Sequence, residues 1–138
     1  MAVRIGTSNG EPSNFNWDGL VILQAFDGYY SFLYPLITGL NEKTGQLIDL
    51  WGDATFSGAD LIALRDTIHA AKNLVASQPA DWDVYVGDHC HYNDEQQFTR
   101  DPMHTKVSNS EFTNLLENFS RLIERAMNEN GSVVCIGD

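Results

Sequence analysis

The sequence predicts an α/β fold of the α+β kind: a mixed sheet of five to six strands with two helices packed on one face. Two observations carry this expectation. Three times an apolar run ends in Gly-Asp: residues 47–51 before Gly52-Asp53, Val84-Tyr85-Val86 before Gly87-Asp88, and Val133-Val134-Cys135-Ile136 before Gly137-Asp138. Between successive runs lies a stretch whose apolar residues recur at helical spacing. Strand-helix-strand connections are right-handed and usually join parallel strands. The pattern therefore predicts two C-terminal crossover units, with Asp53, Asp88 and Asp138 gathered at one carboxyl edge of the sheet. Open α/β sheets hold their ligand sites at such an edge. At 138 residues the chain has the length of a single domain, 1–138.

Taken in order, Met1-Ala2-Val3-Arg4-Ile5 reads as a first strand. It lacks the basic and then long apolar pattern of a secretory leader, so a cytoplasmic protein is expected. Residues 11–18 are rich in turn formers and read as a polar loop. Residues 20–26 and 29–37 flank Asp27-Gly28, a strong hairpin signal between β-prone runs. A turn at residues 41–45 then leads into residues 46–51, which completes an N-terminal meander. The competing reading makes residues 20–34 one buried helix, because short apolar runs are ambiguous by periodicity alone.

The two later helices are clearer. Ser57 and Asp60 form a variant capping box before Leu61, Leu64, Ile68, Ala71 and Val75, and Gln78-Pro79 ends the pattern. Ser108 and Glu111 form a Ser-x-x-Glu box before the stripe Phe112, Leu115, Leu116, Phe119, Leu122, Ile123 and Ala126. Gly131 is placed as the C-terminal cap. Arg121 is within one turn of Glu117, and Arg125 of Glu129. Residues 88–107 show no periodicity, and a loop that long in a small domain is usually functional or mobile.

Composition narrows the function. Nineteen acidic residues against eight basic ones give a net charge of -11. That opposes nucleic-acid binding, which needs clustered Lys and Arg, and opposes anionic membrane surfaces. It favours a protein partner with a basic surface, because opposite fields accelerate association. No apolar stretch approaches the ~20 residues of a membrane span. Cys90 and Cys135 form no paired motif, so no disulfide framework is expected. Monomer and dimer are not distinguished at this level.

The sharpest chemical candidate is Asp88-His89-Cys90-His91. Alternate residues of an extended chain share a face, so His89 and His91 can meet one metal ion, with Asp88, Asp53 or Asp138 adding a carboxylate. An open site of this kind would suit a metal-assisted hydrolase. No His-Glu-x-x-His helix, Gly-x-Ser-x-Gly elbow or phosphate loop is present, and Cys90 would face away from its histidine neighbours. A non-catalytic binding role without a cofactor is therefore expected ahead of an enzymatic one. Exposed aromatics beside the acidic segment would anchor a partner. The expected contact set is Asp53, Asp88, His89, His91, Tyr92, Asp94, Glu95 and Asp101.

Three stretches also carry a resemblance: Tyr34-Pro35-Leu36-Ile37-Thr38-Gly39-Leu40, then Ile48-Asp49-Leu50-Trp51-Gly52-Asp53-Ala54, then a capped helix. The chain is similar in these to small uncharacterised bacterial proteins resembling the immunity proteins of polymorphic-toxin and contact-dependent inhibition systems. Ala54 stands where those proteins often have Thr. The resemblance spans most of residues 33–138 and rests on structural motifs, so no catalytic residue transfers. It implies a toxin inhibitor whose partner is a toxin domain.

Overall fold

Alternating burial along the strands defines a sheet with one covered face. In the computed structural model, which describes residues 1–9 and 14–138, the order is β1 (Ala2–Ser8), β2 (Phe15–Gln24), α1 (Tyr29–Thr44), β3 (Asp53–Phe56), α2 (Ala59–Ala76), β4 (Asp81–Tyr92), β5 (Phe98–Ser108), α3 (Asn109–Asn128) and β6 (Ser132–Gly137). Val3, Ile5, Val21, Leu23, Ala54, Phe56, Val133 and Cys135 are buried, whereas Arg4, Ile22, Thr55 and Asp53 on the opposite face are exposed. α3 crosses β1, β2 and β6 on the buried side; α2 packs on α3, and α1 on α2. The α+β class holds. The helix stripes read from spacing are buried except at Leu115, which is half-buried: Leu61, Leu64, Ile68, Ala71 and Val75 in α2, and Phe112, Leu116, Phe119, Leu122, Ile123 and Ala126 in α3. Each large side chain hidden this way contributes about 1.5–3 kcal/mol.

Strand direction departs from the expectation. The main sheet has the order β2-β1-β6-β3 and the second is the pair β4-β5; every pairing is antiparallel. β6 lies between β1 and β3, opposing both, so neither helical connection is a parallel crossover. The first Gly-Asp run is not a strand either. Residues 47–50 form an irregular segment that buries Ile48 and Leu50, and β3 begins only at Asp53. The Tyr30 hydroxyl ties this segment down by donating to the Ile48 carbonyl at 2.8 Å.

The N-terminal meander is replaced by a strand followed by a helix. Asp27-Gly28 joins β2 to α1, so residues 20–34 are neither a hairpin nor one helix. Pro35 lies inside α1, a position that removes a helical hydrogen bond. Burial of Tyr30, Leu33, Ile37 and Leu40 against the core offsets that loss. The expected polar loop at residues 11–18 is a strand from Phe15 onward; Glu11, Pro12 and Ser13 lie outside the described residues.

Local details of the helix ends also differ. Gly58, not Ser57, is the N-cap of α2, and Ser57 contributes its carbonyl to the Asp60 N–H. Ser108 does cap α3, accepting from the Glu111 N–H at 3.4 Å. At the far end Asn130 takes the left-handed conformation (φ 50°), not Gly131. Gly131 is needed instead because a Cβ there would collide with the Ser8 carbonyl oxygen. Glu117 pairs with Lys72 at 3.2 Å, while Arg121 donates to Asn118 and Arg125 donates to Thr7 and to the Asn16 carbonyl. Those partners lie closer than the helical neighbours expected from spacing.

Candidate functional site

The segment expected to be a loop is a long β-hairpin. β4 and β5 pair from Asp81↔Ser108 to Tyr92↔Phe98, and together they form an arm rooted in the core at one end only. Trp82 stacks on Phe112 and meets Phe32 edge to face, with ring centroids 6.1 and 5.5 Å apart. Val84 and Val107 are buried beside them. Gly28 lets Val107 approach, because a Cβ at residue 28 would lie 2.6 Å from Val107 Cγ1. The Thr105 hydroxyl donates to the Phe26 carbonyl at 3.0 Å, and Asn109 Nδ2 donates to the Val75 and Gln78 carbonyls. Beyond this root, from Asp88 to Arg100, side chains are exposed or half-buried.

A bulge sets which side chains share a face. The register shifts between Tyr85 and Gly87, and Gly87 sits at φ 135°, a conformation that excludes most side chains. Alternation then resumes from Gly87. One face carries His89, His91, Thr99, Asp101 and Met103; the other carries Tyr85, Asp88, Cys90, Tyr92, Phe98, Arg100 and His104. Ring contacts agree: His89 stacks on His91 (5.1 Å), Tyr92 meets Phe98 (5.8 Å), and Tyr85 meets His104 (5.8 Å). The tip is closed by Asn93, whose Oδ1 accepts from the Glu95 and Gln97 N–H groups, with Gln96 at φ 63°. Asp94 and Glu95 are exposed there.

The structure therefore brings together seven of the eight expected contact residues: Asp88, His89, His91, Tyr92, Asp94, Glu95 and Asp101 all lie on the arm. Asp53 does not join them. It begins β3 opposite Ile136, in the other sheet, at the same end as Asp138. The proposed three-aspartate edge is thus divided. Asp53 and Asp138 neighbour each other because their strands run antiparallel, the opposite of the reason expected. Asp138 Oδ1 accepts the Ala2 N–H at 2.7 Å, and that bond holds its carboxyl below the ordinary range. Asp88 accepts from the Tyr85 hydroxyl at 2.8 Å, which raises the Tyr85 pKa.

The metal trio read from sequence is divided as well. His89 and His91 share a face as expected, and Asp88, the neighbour of His89, lies on the other one with Cys90. Asp101 takes the position opposite His89. Among the described residues no group of three or more His, Cys, Asp or Glu could hold a metal ion. The expected contact set omitted Phe98, Arg100 and Thr99. Alternation of Phe98, Arg100 and Pro102 with Thr99, Asp101 and Met103 was present, but polar residues on both faces masked the strand.

A cleft of about 410 Å³ between the start of α2 and the end of α3 is lined by Leu61, Ile62, Met127 and Arg65 among others. Arg65 is its only charged lining residue and contacts Asp66 at 3.3 Å, so the cleft holds no acid-base pair. No helix is long and apolar enough to cross a membrane among the described residues. Comparison with protein-family models, with curated proteins and with solved structures finds no match.

Proposed function

We propose that this chain is a non-catalytic protein-binding module, an immunity protein that neutralises a bacterial toxin domain by docking its β4-β5 arm against a basic surface. One observation carries the reading. The outer arm presents Tyr92 and Phe98, 70% and 55% exposed, in edge-to-face contact, with Arg100 over the Phe98 ring and carboxylates at Asp88, Asp94 and Glu95 nearby. A two-stranded ribbon is marginally stable alone, and an exposed one that carries rigid aromatics suits contact with another molecule. The charge of -11 argues against a second copy of the chain as occupant and for a cationic partner. In this role the aromatics supply affinity, while the carboxylates supply association rate and specificity.

The experiment begins with the neighbouring reading frame. Expression of the C-terminal domain of an adjacent toxin-like gene should arrest growth, and co-expression of this chain should restore it. The double variant Tyr92→Ala/Phe98→Ala should fold normally and fail to protect. Co-purification that survives about 1 M salt would show apolar contacts outweighing charge. A metabolic operon around the gene, or protection that persists in the double variant, would overturn the reading.

A further inference from the structure

The two edges of the main sheet, β2 and β3, are finished differently. At the β3 edge the strand is four residues long, and the Gln46 side chain accepts its Thr55 N–H at 3.0 Å. The β2 edge is longer and stays open at its centre. We propose that it is a docking site for an extended segment of a protein partner, which joins the main sheet as a fifth strand and carries a Lys or Arg to Glu111.

The hydrogen-bond phase of β2 fixes which backbone groups are available. The Asp138 N–H donates to the Ala2 carbonyl at 3.2 Å, so Ala2 turns its backbone to β6 and Val3 turns its own to β2, opposite Leu23. The Ala25 N–H donates to the Met1 carbonyl at 3.3 Å, in the same phase. Ala25, Leu23 and Val21 therefore face β1, while Gln24, Ile22 and Leu20 direct their N–H and C=O groups outward. Asp27 Oδ2 takes the Gln24 N–H at 2.7 Å and closes one end. Asn16 Oδ1 takes the Asp18 N–H at 3.0 Å and closes the other, ahead of Gly19 at φ 67°. Between these stops lie the outward groups of Leu20 and Ile22, on a strand that holds neither Lys nor Pro. Exposed edges are ordinarily blunted by such residues, and an edge left open is a template for another strand.

The side chains beside the edge define its occupant. Leu20 and Ile22 are 38% and 45% exposed, and Ile22 pairs across the ladder with Arg4. A groove of about 280 Å³ separates this edge from α3, where Glu111, Asn114, Leu115 and Asn118 form one stripe along it. Glu111 is the only charged residue of the lining, it is exposed, and no ion pair among the described residues reaches it. An added strand sends alternate side chains to opposite sides. Beside Leu20 and Ile22 it fits apolar residues, because Arg4 repels a second cation there. Over the groove it fits Lys or Arg, whose aliphatic stem covers Leu115 while the charged head meets Glu111. A second copy of the chain does not meet these terms. Its own β2 carries one charge, the carboxylate of Asp18, and each copy brings a net charge of -11. The site is separate from the β4-β5 arm and stands whatever the arm binds.

The test is a titration of ¹⁵N-labelled protein with a capped heptapeptide that alternates Val with Lys. Amide resonances of Leu20 and Ile22 should shift saturably, and their hydrogen exchange should slow. Replacing Lys by Glu in the peptide should weaken binding by about tenfold or more, and Glu111→Gln, which keeps the α3 capping box, by about threefold. Ile22→Pro should abolish binding while leaving the ladder to β1 intact, because the lost N–H points outward. Should that variant fail to fold, peptides N-methylated on one edge or the other make the same test: one should bind and the other should not. Tyr92→Ala/Phe98→Ala should bind the peptide as the wild type does, which separates this site from the arm. Absence of saturable shifts at Leu20 and Ile22, or binding indifferent to N-methylation, would overturn the proposal. So would a dimer in sedimentation that Ile22→Pro dissociates, since the occupant would then be a second copy.

Discussion

The Asp27 carboxylate accepts the Tyr29 backbone N–H at 2.8 Å, and this contact sets the point where β2 gives way to α1. The same oxygen takes the Tyr30 N–H at 3.1 Å, and the other oxygen takes the Gln24 N–H at 2.7 Å. Gly28 follows at φ 84°, outside the range of most side chains. One carboxylate thus ends a strand and starts a helix, at a dipeptide that elsewhere turns hairpins. Asp27→Ala should lower stability by about 1–2 kcal/mol in urea unfolding. Asp27→Asn should cost less, because an amide retains one acceptor for the helix but none for Gln24.

Leu116 is fully buried at the centre of the α3 stripe. Leu116→Ala should cost about 2–5 kcal/mol, from lost burial and the cavity left behind. Denaturant unfolding measures it directly, and a loss below about 0.5 kcal/mol would contradict a core position.

The turn from α3 into β6 separates two glycine-like requirements. Asn130 has the left-handed conformation in open surroundings, so Asn130→Gly should be neutral or stabilising by up to about 1 kcal/mol. Gly131→Ala should be destabilising by about 1–3 kcal/mol, because its Cβ meets the Ser8 backbone. The melting temperature should therefore fall for Gly131→Ala and stay or rise for Asn130→Gly.

Tyr30 predicts an alkaline limb of instability. Burial first, then the charge of Asp49, pushes its pKa from 10.0 up to about 12. Below the unfolded value the phenol is protonated in both states. Between the two values only the unfolded chain releases the proton, so stability falls as pH rises through that window. Thermal melts across it should show the decline. Tyr30→Phe should flatten it while lowering stability at neutral pH, since the Ile48 carbonyl loses its donor.

The two thiols should react unequally. Cys90 is exposed on the arm, whereas Cys135 is wholly buried in β6, where burial pushes its pKa up. A thiol reagent should modify one cysteine per folded chain and two after denaturation. Cys90→Ser should abolish the native-state reaction.

Local chemistry was legible wherever one helix or one strand face decides it. The stripe of α3 and its Ser108 cap followed from 3.6-residue spacing, because each turn brings those side chains to one side whatever lies opposite. The shared face of His89 and His91 followed in the same way from two-residue alternation. The same alternation puts Asp88, next to His89, on the opposite face; what the bulge at Gly87 decided is that Tyr85 joins Asp88 there, and a bulge is visible only once a partner strand is paired. The arm escaped because its two polar faces carry no core signal.

By itself the sequence determined the α+β class, both long helices with their buried faces, and a strongly acidic net charge. These depend on periodicity and composition, which act within a few residues. Tertiary structure alone decided that β6 opposes both β1 and β3, that Tyr29–Thr44 is helical despite Pro35, and that residues 88–107 leave the core as a hairpin. Strand direction, burial against distant elements and cross-strand register are properties of contacts far apart in the chain, and no local pattern encodes them.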